Sequence, residues 1–280
     1  MSKFQSISAV ANKTTVQNHN KLLFLTFFFL TKVFSFCLRK IPTLGRQLRR
    51  IRSWLPAPEF IIQNSIGTWS VRPFNDSMTI SAEYFESHLA SWPGKPAYKR
   101  VCIDIGANIG KYTLMAASQY GYKKILSIEA NPVTFQILFK NIALNSLVQK
   151  VTAINIAAGE TEGTVTIQAD SHHLGGGNIV DYHVNDAVMD TRHVVPVFRI
   201  DTLLSKQNVP TTEVDFIKID VEGAEGEVLK GMTSTLKDMP IGSYIMIEMS
   251  RNEEAVSRVF TSNGFIKVES HSHDTLFVKQ

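Results

Sequence analysis

Val101-Cys-Ile-Asp-Ile-Gly-Ala-Asn-Ile-Gly110, followed by Lys111-Tyr-Thr113, is the stretch that decides the fold. It reads as a short apolar strand, an acid at the strand end, a glycine-bearing turn and the start of a helix. That order puts a tight turn and free backbone N–H groups at the carboxyl edge of a parallel sheet, where α/β proteins hold small ligands. Two nucleotide patterns fail on it. A dinucleotide fingerprint needs G-x-G-x-x-G, but Asn108 and Lys111 stand at the second and third glycine positions. A phosphate-cradling loop needs G-x-x-x-x-G-K-[ST]; Gly106 to Gly110 is one residue too short, and Tyr112 stands where the magnesium-binding hydroxyl belongs. The pattern that remains is D-x-G-x-N-x-G. An acid before the first glycine repels a pyrophosphate and suits a ligand that carries an ammonium group.

Working outward, strand and helix signals alternate from Arg100 onward. This argues for an α/β fold with a doubly wound, mostly parallel sheet and helices on both faces. The expected core strands are 100–105, 124–129, 151–155, 216–220 and 243–248. Helices are expected over 110–120, over 132–145 with Pro132 in the first turn, and over 253–263 with Gly264 as the stop. Segments 164–169 and 194–199 read as an added strand pair, and 265–270 with 275–279 as a closing hairpin. A chain of 280 residues with 44% hydrophobic content can bury a full core in one large domain.

Asp104-Ile-Gly-Ala-Asn-Ile-Gly110 resembles motif I of class I S-adenosylmethionine-dependent methyltransferases. Ile128-Glu-Ala-Asn-Pro132, Arg199-Ile-Asp-Thr-Leu203 and Ile217-Lys-Ile-Asp-Val-Glu-Gly-Ala-Glu225 narrow the resemblance to the FkbM-type methyltransferases. The resemblance runs from roughly Arg100 to Glu248, and four segments in order at strand ends make it specific. It implies a seven-stranded Rossmann-like sheet with one antiparallel strand, S-adenosyl-L-methionine as cofactor, and O-methylation of a hydroxyl on a sugar, glycolipid or secondary metabolite. It assigns Asp104 to the cofactor's ammonium, directly or through water, and the N–H groups of Gly106 to Gly110 to its carboxylate. Asn108 would pin the turn by a side-chain-to-backbone bond. Glu129 would accept the ribose hydroxyls, a device dinucleotide enzymes share. Asn131 would flank the adenosine, and Ala157 would meet the adenine edge.

Asp220 and Glu222 are the candidate catalytic groups, because deprotonating a hydroxyl needs a base or a metal beside the methyl group. Glu225 reads as a helix-start acid, Lys218 as structural, Glu248 as a candidate pocket wall and Asp201 as a cap. Cys37 and Cys102 make no disulfide framework, and no histidine spacing suggests zinc; a divalent metal on the carboxylates stays open. Segments 168–192 and 61–98 are expected to shape the acceptor pocket. Two other readings compete: a nicotinamide-dependent oxidoreductase, and a non-catalytic, membrane-tethered binding module on the same scaffold.

The net charge of +4 hides an asymmetry. Ten of the 29 basic residues precede Glu59 and no acid does, so the rest carries 19 basic against 25 acidic residues, a net of −6. No basic stripe is left to release counterions from a nucleic acid. The division expected is a polar tail over 1–20, a hydrophobic and basic segment with linker over 21–58, and the catalytic domain over 59–280. Residues 22–38 are apolar except for a few positions, near the lower limit of the ~17–25 residues that span a bilayer. Lys32 costs roughly 2.5–3.5 kcal/mol at the centre of a span, against about 0.3–0.6 returned per Leu, Phe or Val. A membrane anchor, spanning or interfacial, is the first expectation. A cleaved signal and a segment packed on the protein are the others. The basic cluster 39–52 would keep the domain in the cytoplasm, which is also the expected compartment of an unanchored form.

Overall fold

The computed structural model describes residues 14–40, 58–73, 75–170, 173–179, 191–249 and 253–280. The basic cluster beyond residue 40, Pro56, His172 and most of the tail 1–20 lie outside them.

The chain opens with an N-terminal layer. Strand β1 (Thr15–Val16), helix α1 (Lys21–Lys40), strands β2 (Phe60–Gln63) and β3 (Thr68–Val71) and helix α2 (Ser77–Ile80) belong to it. The core follows as β4 (Val101–Ile105), α3 (Lys111–Leu114), β5 (Lys124–Ile128), α4 (Pro132–Leu144) and β6 (Val151–Ile154). A small second sheet holds β7 (Ala157–Ala158), β8 (Gly163–Asp170), β9 (His173–Ile179) and β10 (Thr191–Phe198). The chain returns through α5 (Ile200–Lys206), β11 (Val214–Ile219), α6 (Glu225–Lys230), α7 (Thr233–Asp238), β12 (Tyr244–Glu248), α8 (Glu253–Ser262), β13 (Phe265–His271) and β14 (Asp274–Lys279).

The main sheet has seven strands in the order β13-β14-β12-β11-β4-β5-β6, with β14 antiparallel to its neighbours β12 and β13 and the other pairs parallel. The expected doubly wound sheet with one antiparallel strand is therefore present. Its central strands are apolar on both faces because helices cover both. Odd positions of β4 (Val101, Ile103, Ile105) pack with α5, α6 and α8 through Leu203, Val228 and Phe260. Cys102, on the other face, is buried as expected and packs with Tyr112, Leu138 and Ile142. On that second face the even positions Asp104 and Lys218 interrupt the apolar pattern, and the register of β4 on β11 sets them side by side.

Strand order reverses between β4 and β11. Chain continuation from β4 runs to β5 and β6 on one side, while β11 and β12 lie on the other. Such a switch point leaves a crevice at the carboxyl ends of the two strands. The glycine turn after β4 and the acidic segment after β11 therefore meet there by topology alone.

Two local features differ from expectation. The helix expected over 110–120 is α3 for one turn and then a wider π-type turn over Met115–Gln119. Part of the segment 61–98, expected to shape the acceptor pocket, lies instead in β2 and β3, which pair with each other and, through β2, with β1 in a separate small sheet.

Helix α1 settles part of the question over its own segment. Phe24 and Phe28 are 1% and 0% exposed and share a core with Phe60, Trp69, Met78, Ile109 and Leu114. Among the described residues no helix is long and apolar enough to cross a membrane. The packed reading therefore describes the inner face of α1, and the spanning form of the anchor is not what this helix presents. Phe28→Ala should lower unfolding free energy by about 3–5 kcal/mol, the usual cost of emptying a buried phenylalanine site. Chemical denaturation of the full chain measures it, and a loss below about 1 kcal/mol would mean that α1 does not dock as described.

Candidate active site

Gly106 occupies the switch point. Its φ is 77°, and a Cβ there would lie 1.7 Å from the carbonyl oxygen of Asp220. Only glycine lets the ends of β4 and β11 approach this closely. The N–H groups of Gly106 and Ala107 both donate to the Ile128 carbonyl, at 2.9 Å each. Asn108 sits at φ 52°, and its side-chain oxygen accepts from the Ile109 N–H at 2.7 Å. The pinned turn expected at Asn108 is thus formed. Gly110 begins α3 in the left-handed region.

Glu129 fixes the turn from the next strand. Its two carboxylate oxygens accept from the Asn108 and Asn131 N–H groups, each at 2.8 Å. Burial pushes its pKa up to about 7, against the pull of those two N–H donors. A carboxylate offers about four acceptor positions, so each oxygen retains capacity for a ligand hydroxyl. Asn131 caps α4 by accepting from the Val133 N–H at 3.0 Å. Its side-chain NH2 is buried and finds no hydrogen-bond partner.

A cleft of about 760 Å³, its open mouth included, lies between these groups and the segment after β11. Gly106, Asn108, Glu129 and Asn131 form one side, Ala157 with Ile156 the floor, and Asp220 and Glu222 the other side. Of the residues expected to bind cofactor, Asp104 and Gly110 do not reach the cleft wall. Asp104 is 0% exposed; one of its oxygens accepts from Thr113 Oγ1 at 2.7 Å, and the other has no hydrogen-bond partner. It lies behind the turn, so direct contact with a ligand ammonium is replaced by a structural role. Gly110 is turned toward Leu138.

Lys218 links the two sides. It is buried, donates to the Gly106 carbonyl at 2.6 Å, and pairs with Asp220 at 3.1 Å and Asp104 at 3.8 Å. Burial works against its charge, but Asp220 and Asp104 outweigh burial and hold the pKa above the usual lysine value. Burial likewise raises Asp104, more than Lys218 and Thr113 lower it. The Lys218 partners Gly106 and Asp220 belong to the two walls of the cleft.

At this edge of the sheet three neighbouring strands each carry an acid. Asp220 follows β11, Glu248 ends β12, and Asp274 begins the antiparallel β14 opposite Glu248. Glu248 shares a hydrogen bond with Asp220. Burial first, then Asp220 and Glu222, push its pKa up to about 8; burial, Glu86 and Asp220 raise Asp274 to about 6. Glu86 joins from the N-terminal layer, where it accepts from the Tyr112 hydroxyl at 3.1 Å. Neither Glu86 nor Asp274 carries a sequence signal, since nothing local marks a loop acid as facing a distant strand end. Glu222 stands at φ 55°. Glu225 is buried and accepts from the Gly223 N–H at 2.9 Å, holding the turn ahead of α6. Asp201 caps α7 by accepting from the Ser234 and Thr235 N–H groups. No group of three or more side chains suited to a metal occurs among the described residues.

These acids set a pH dependence. A carboxyl whose folded pKa exceeds its unfolded one keeps a proton that the unfolded chain has released. Its stabilisation is complete below the ordinary carboxyl range and fades as pH rises through the folded pKa. Glu129, Glu248 and Asp274 all have this sign. The ligand-free protein should therefore melt at falling temperature from about pH 5 to pH 8, and less steeply in Glu248→Gln. A melting temperature that climbs across that window would contradict the assignment.

The Methyltransferase FkbM domain family matches residues 104–275. Methyltransferase sdnD of Sordaria araneosa is 27% identical over 201 residues, covering 62% of this chain and 76% of that protein. Hexuronic acid methyltransferase AglP of Haloferax volcanii is 22% identical over 227 residues, covering 74% and 83%. Among solved structures, an O-methyltransferase family protein from Burkholderia thailandensis aligns over 74% of this chain and 58% of its own, at 14% identity and a TM-score of 0.45.

Proposed function

The chain belongs to the FkbM methyltransferase family, and we propose that this S-adenosylmethionine-dependent enzyme methylates a hydroxyl of a sugar, a glycolipid or a secondary metabolite. The observation that carries the reading is the two-sided cleft, with fixed donors and acceptors on the β4–β5 side and Asp220 on the other. The β4–β5 side fits the cofactor. Glu129 keeps acceptor capacity for ribose hydroxyls, and the unpartnered Asn131 NH2 is a buried donor in want of an acceptor. Ala157, in the floor, leaves room for a flat base. The turn from Gly106 to Gly110 borders the amino-acid end, but its Gly106, Ala107 and Asn108 N–H groups are already held by the Ile128 carbonyl and Glu129 and are not open to the cofactor carboxylate, while Asp104 and Gly110 position that turn.

S-adenosylmethionine, when bound, supplies a methyl group on a sulfonium leaving group. The protein then has to align the acceptor, exclude water and remove a proton. Asp220 is the proposed base. Its side chain is 36% exposed and faces the cleft, yet one oxygen is fixed by Lys218. Glu222 lies beside it on the same wall, and Glu248, whose carboxyl burial and the neighbouring acids keep protonated near neutral pH, can donate a hydrogen bond to Asp220. A nicotinamide cofactor has no support in the broken glycine pattern. A non-catalytic module is disfavoured by a cleft that keeps both its binding side and its acid side. We also read the enzyme as membrane-associated through residues 22–38 with the domain in the cytoplasm, on the strength of the acid-free, basic sequence before Glu59.

Calorimetric titration with S-adenosylmethionine, paired with methyl-transfer assays on hydroxylated extracts, tests this. Glu129→Ala should weaken cofactor binding by about 1.5–3 kcal/mol through lost charged hydrogen bonds. Asp220→Asn should bind the cofactor nearly as wild type does and lose turnover by about 10²–10⁴-fold. Unchanged affinity in the first, or unchanged turnover in the second, would remove that residue from its role. Tight NAD binding with hydride transfer would overturn the whole reading.

A further inference from the structure

Helix α1 is apolar on both of its sides. Phe24, Phe28 and Thr31, spaced i, i+4 and i+7, are buried against the domain. The opposite side carries Leu22, Leu23, Phe29, Leu30 and Val33, which are 71%, 42%, 48%, 43% and 42% exposed. Those spacings place all five on one stripe, about 16 Å long at 1.5 Å per residue. Thr26 is exposed on the same stripe, but its hydroxyl donates to the Leu22 carbonyl at 2.9 Å, so it has no need of water. A helix apolar on two opposite sides, with Lys32 the one charge between Lys21 and Arg39, belongs between two apolar phases. The domain provides one of them.

Charge identifies the other. The helix begins at Lys21 and ends at Arg39-Lys40. Arg46, Arg49, Arg50 and Arg52 follow, and no acid occurs before Glu59. The remainder of the chain is net negative. An apolar stripe flanked by cations on an otherwise acidic protein complements an anionic bilayer surface, whose headgroups attract basic residues while the acyl boundary accepts Leu and Phe. A second copy of this chain would bring like charges together.

We infer that α1 lies flat in an anionic membrane surface, with Phe24 and Phe28 holding the domain and the Leu22–Val33 stripe entering the headgroup–acyl boundary. This rests on the reading of membrane association and gives it a geometry: a helix in the plane, not across it. The inner face of α1 shares its core with Ile109 and Leu114, so the cofactor turn sits one layer above the lipid.

The test is sedimentation of the full-length protein with vesicles of phosphatidylcholine alone, or with about 30% phosphatidylserine, followed by washes in high salt and in alkaline carbonate. The expected result is pelleting with the anionic vesicles, at least tenfold less with neutral ones, and release by carbonate. Phe29→Asp with Leu30→Asp, both on the outer stripe, should abolish pelleting while cooperative melting and S-adenosylmethionine binding stay unchanged. Pelleting that resists carbonate would overturn the flat geometry but keep membrane association. No pelleting with either vesicle would overturn both. Undiminished pelleting of the double variant would remove the stripe from the contact. A dimer in light scattering that the double variant abolishes, without vesicle binding, would assign the stripe to a second copy.

Discussion

A single buried ammonium holds the two halves of this site together. Lys218 bridges the Gly106 carbonyl, Asp220 and Asp104 from the buried interior of β11. Taking such a charge out of water is costly, and removing one partner from a buried set leaves the others uncompensated, at about 3–5 kcal/mol. The arrangement is therefore a weak source of stability and a strong source of geometry. It sets the carbonyl of the first turn glycine and the carboxylate of the proposed base at hydrogen-bond distance from one nitrogen. The two walls of the cleft cannot shift independently while that nitrogen remains between them.

The topology explains why the bridge can exist. β4 and β11 are neighbours only because the strand order reverses between them. Their in-register pairing brings Asp104 beside Lys218, and the same pairing carries Gly106 against Asp220. Glycine at 106 and lysine at 218 are two answers to one constraint, which is that the ends of two strands and their turns share a very small space. Glu129 completes the frame from β5 by holding the N–H groups of Asn108 and Asn131. A ligand would meet a site already rigid, which limits the ordering cost of binding.

Much of this was legible in the sequence because it is written locally. An apolar run, an acid and spaced glycines report a strand and its turn, and Asn108 and Glu129 follow from their place at strand ends. The seven-strand sheet followed from alternation and from the resemblance to FkbM-type enzymes. What escaped depends on distant parts of the chain. Asp104 looked like a ligand group because its position beneath the turn, against Thr113 and Lys218, is a property of packing. Glu86 reaches the acid cluster from the N-terminal layer, and Asp274 from the antiparallel strand; no spacing connects either to Asp220. The apolar helix read first as an anchor because composition alone does not say that Phe24 and Phe28 face Phe60 and Trp69, leaving only the other side for a partner.

The most direct test of the bridge is calorimetric titration of S-adenosylmethionine into the wild-type protein and into Lys218→Met, with thermal melting to confirm that the variant folds cooperatively. If Lys218 holds the turn, the folded variant binds at least about tenfold more weakly, the equivalent of about 1.4 kcal/mol, and loses turnover as Asp220 is released. Wild-type affinity in a cooperatively folded Lys218→Met protein would contradict this, because the cofactor turn would then stand without the buried ammonium.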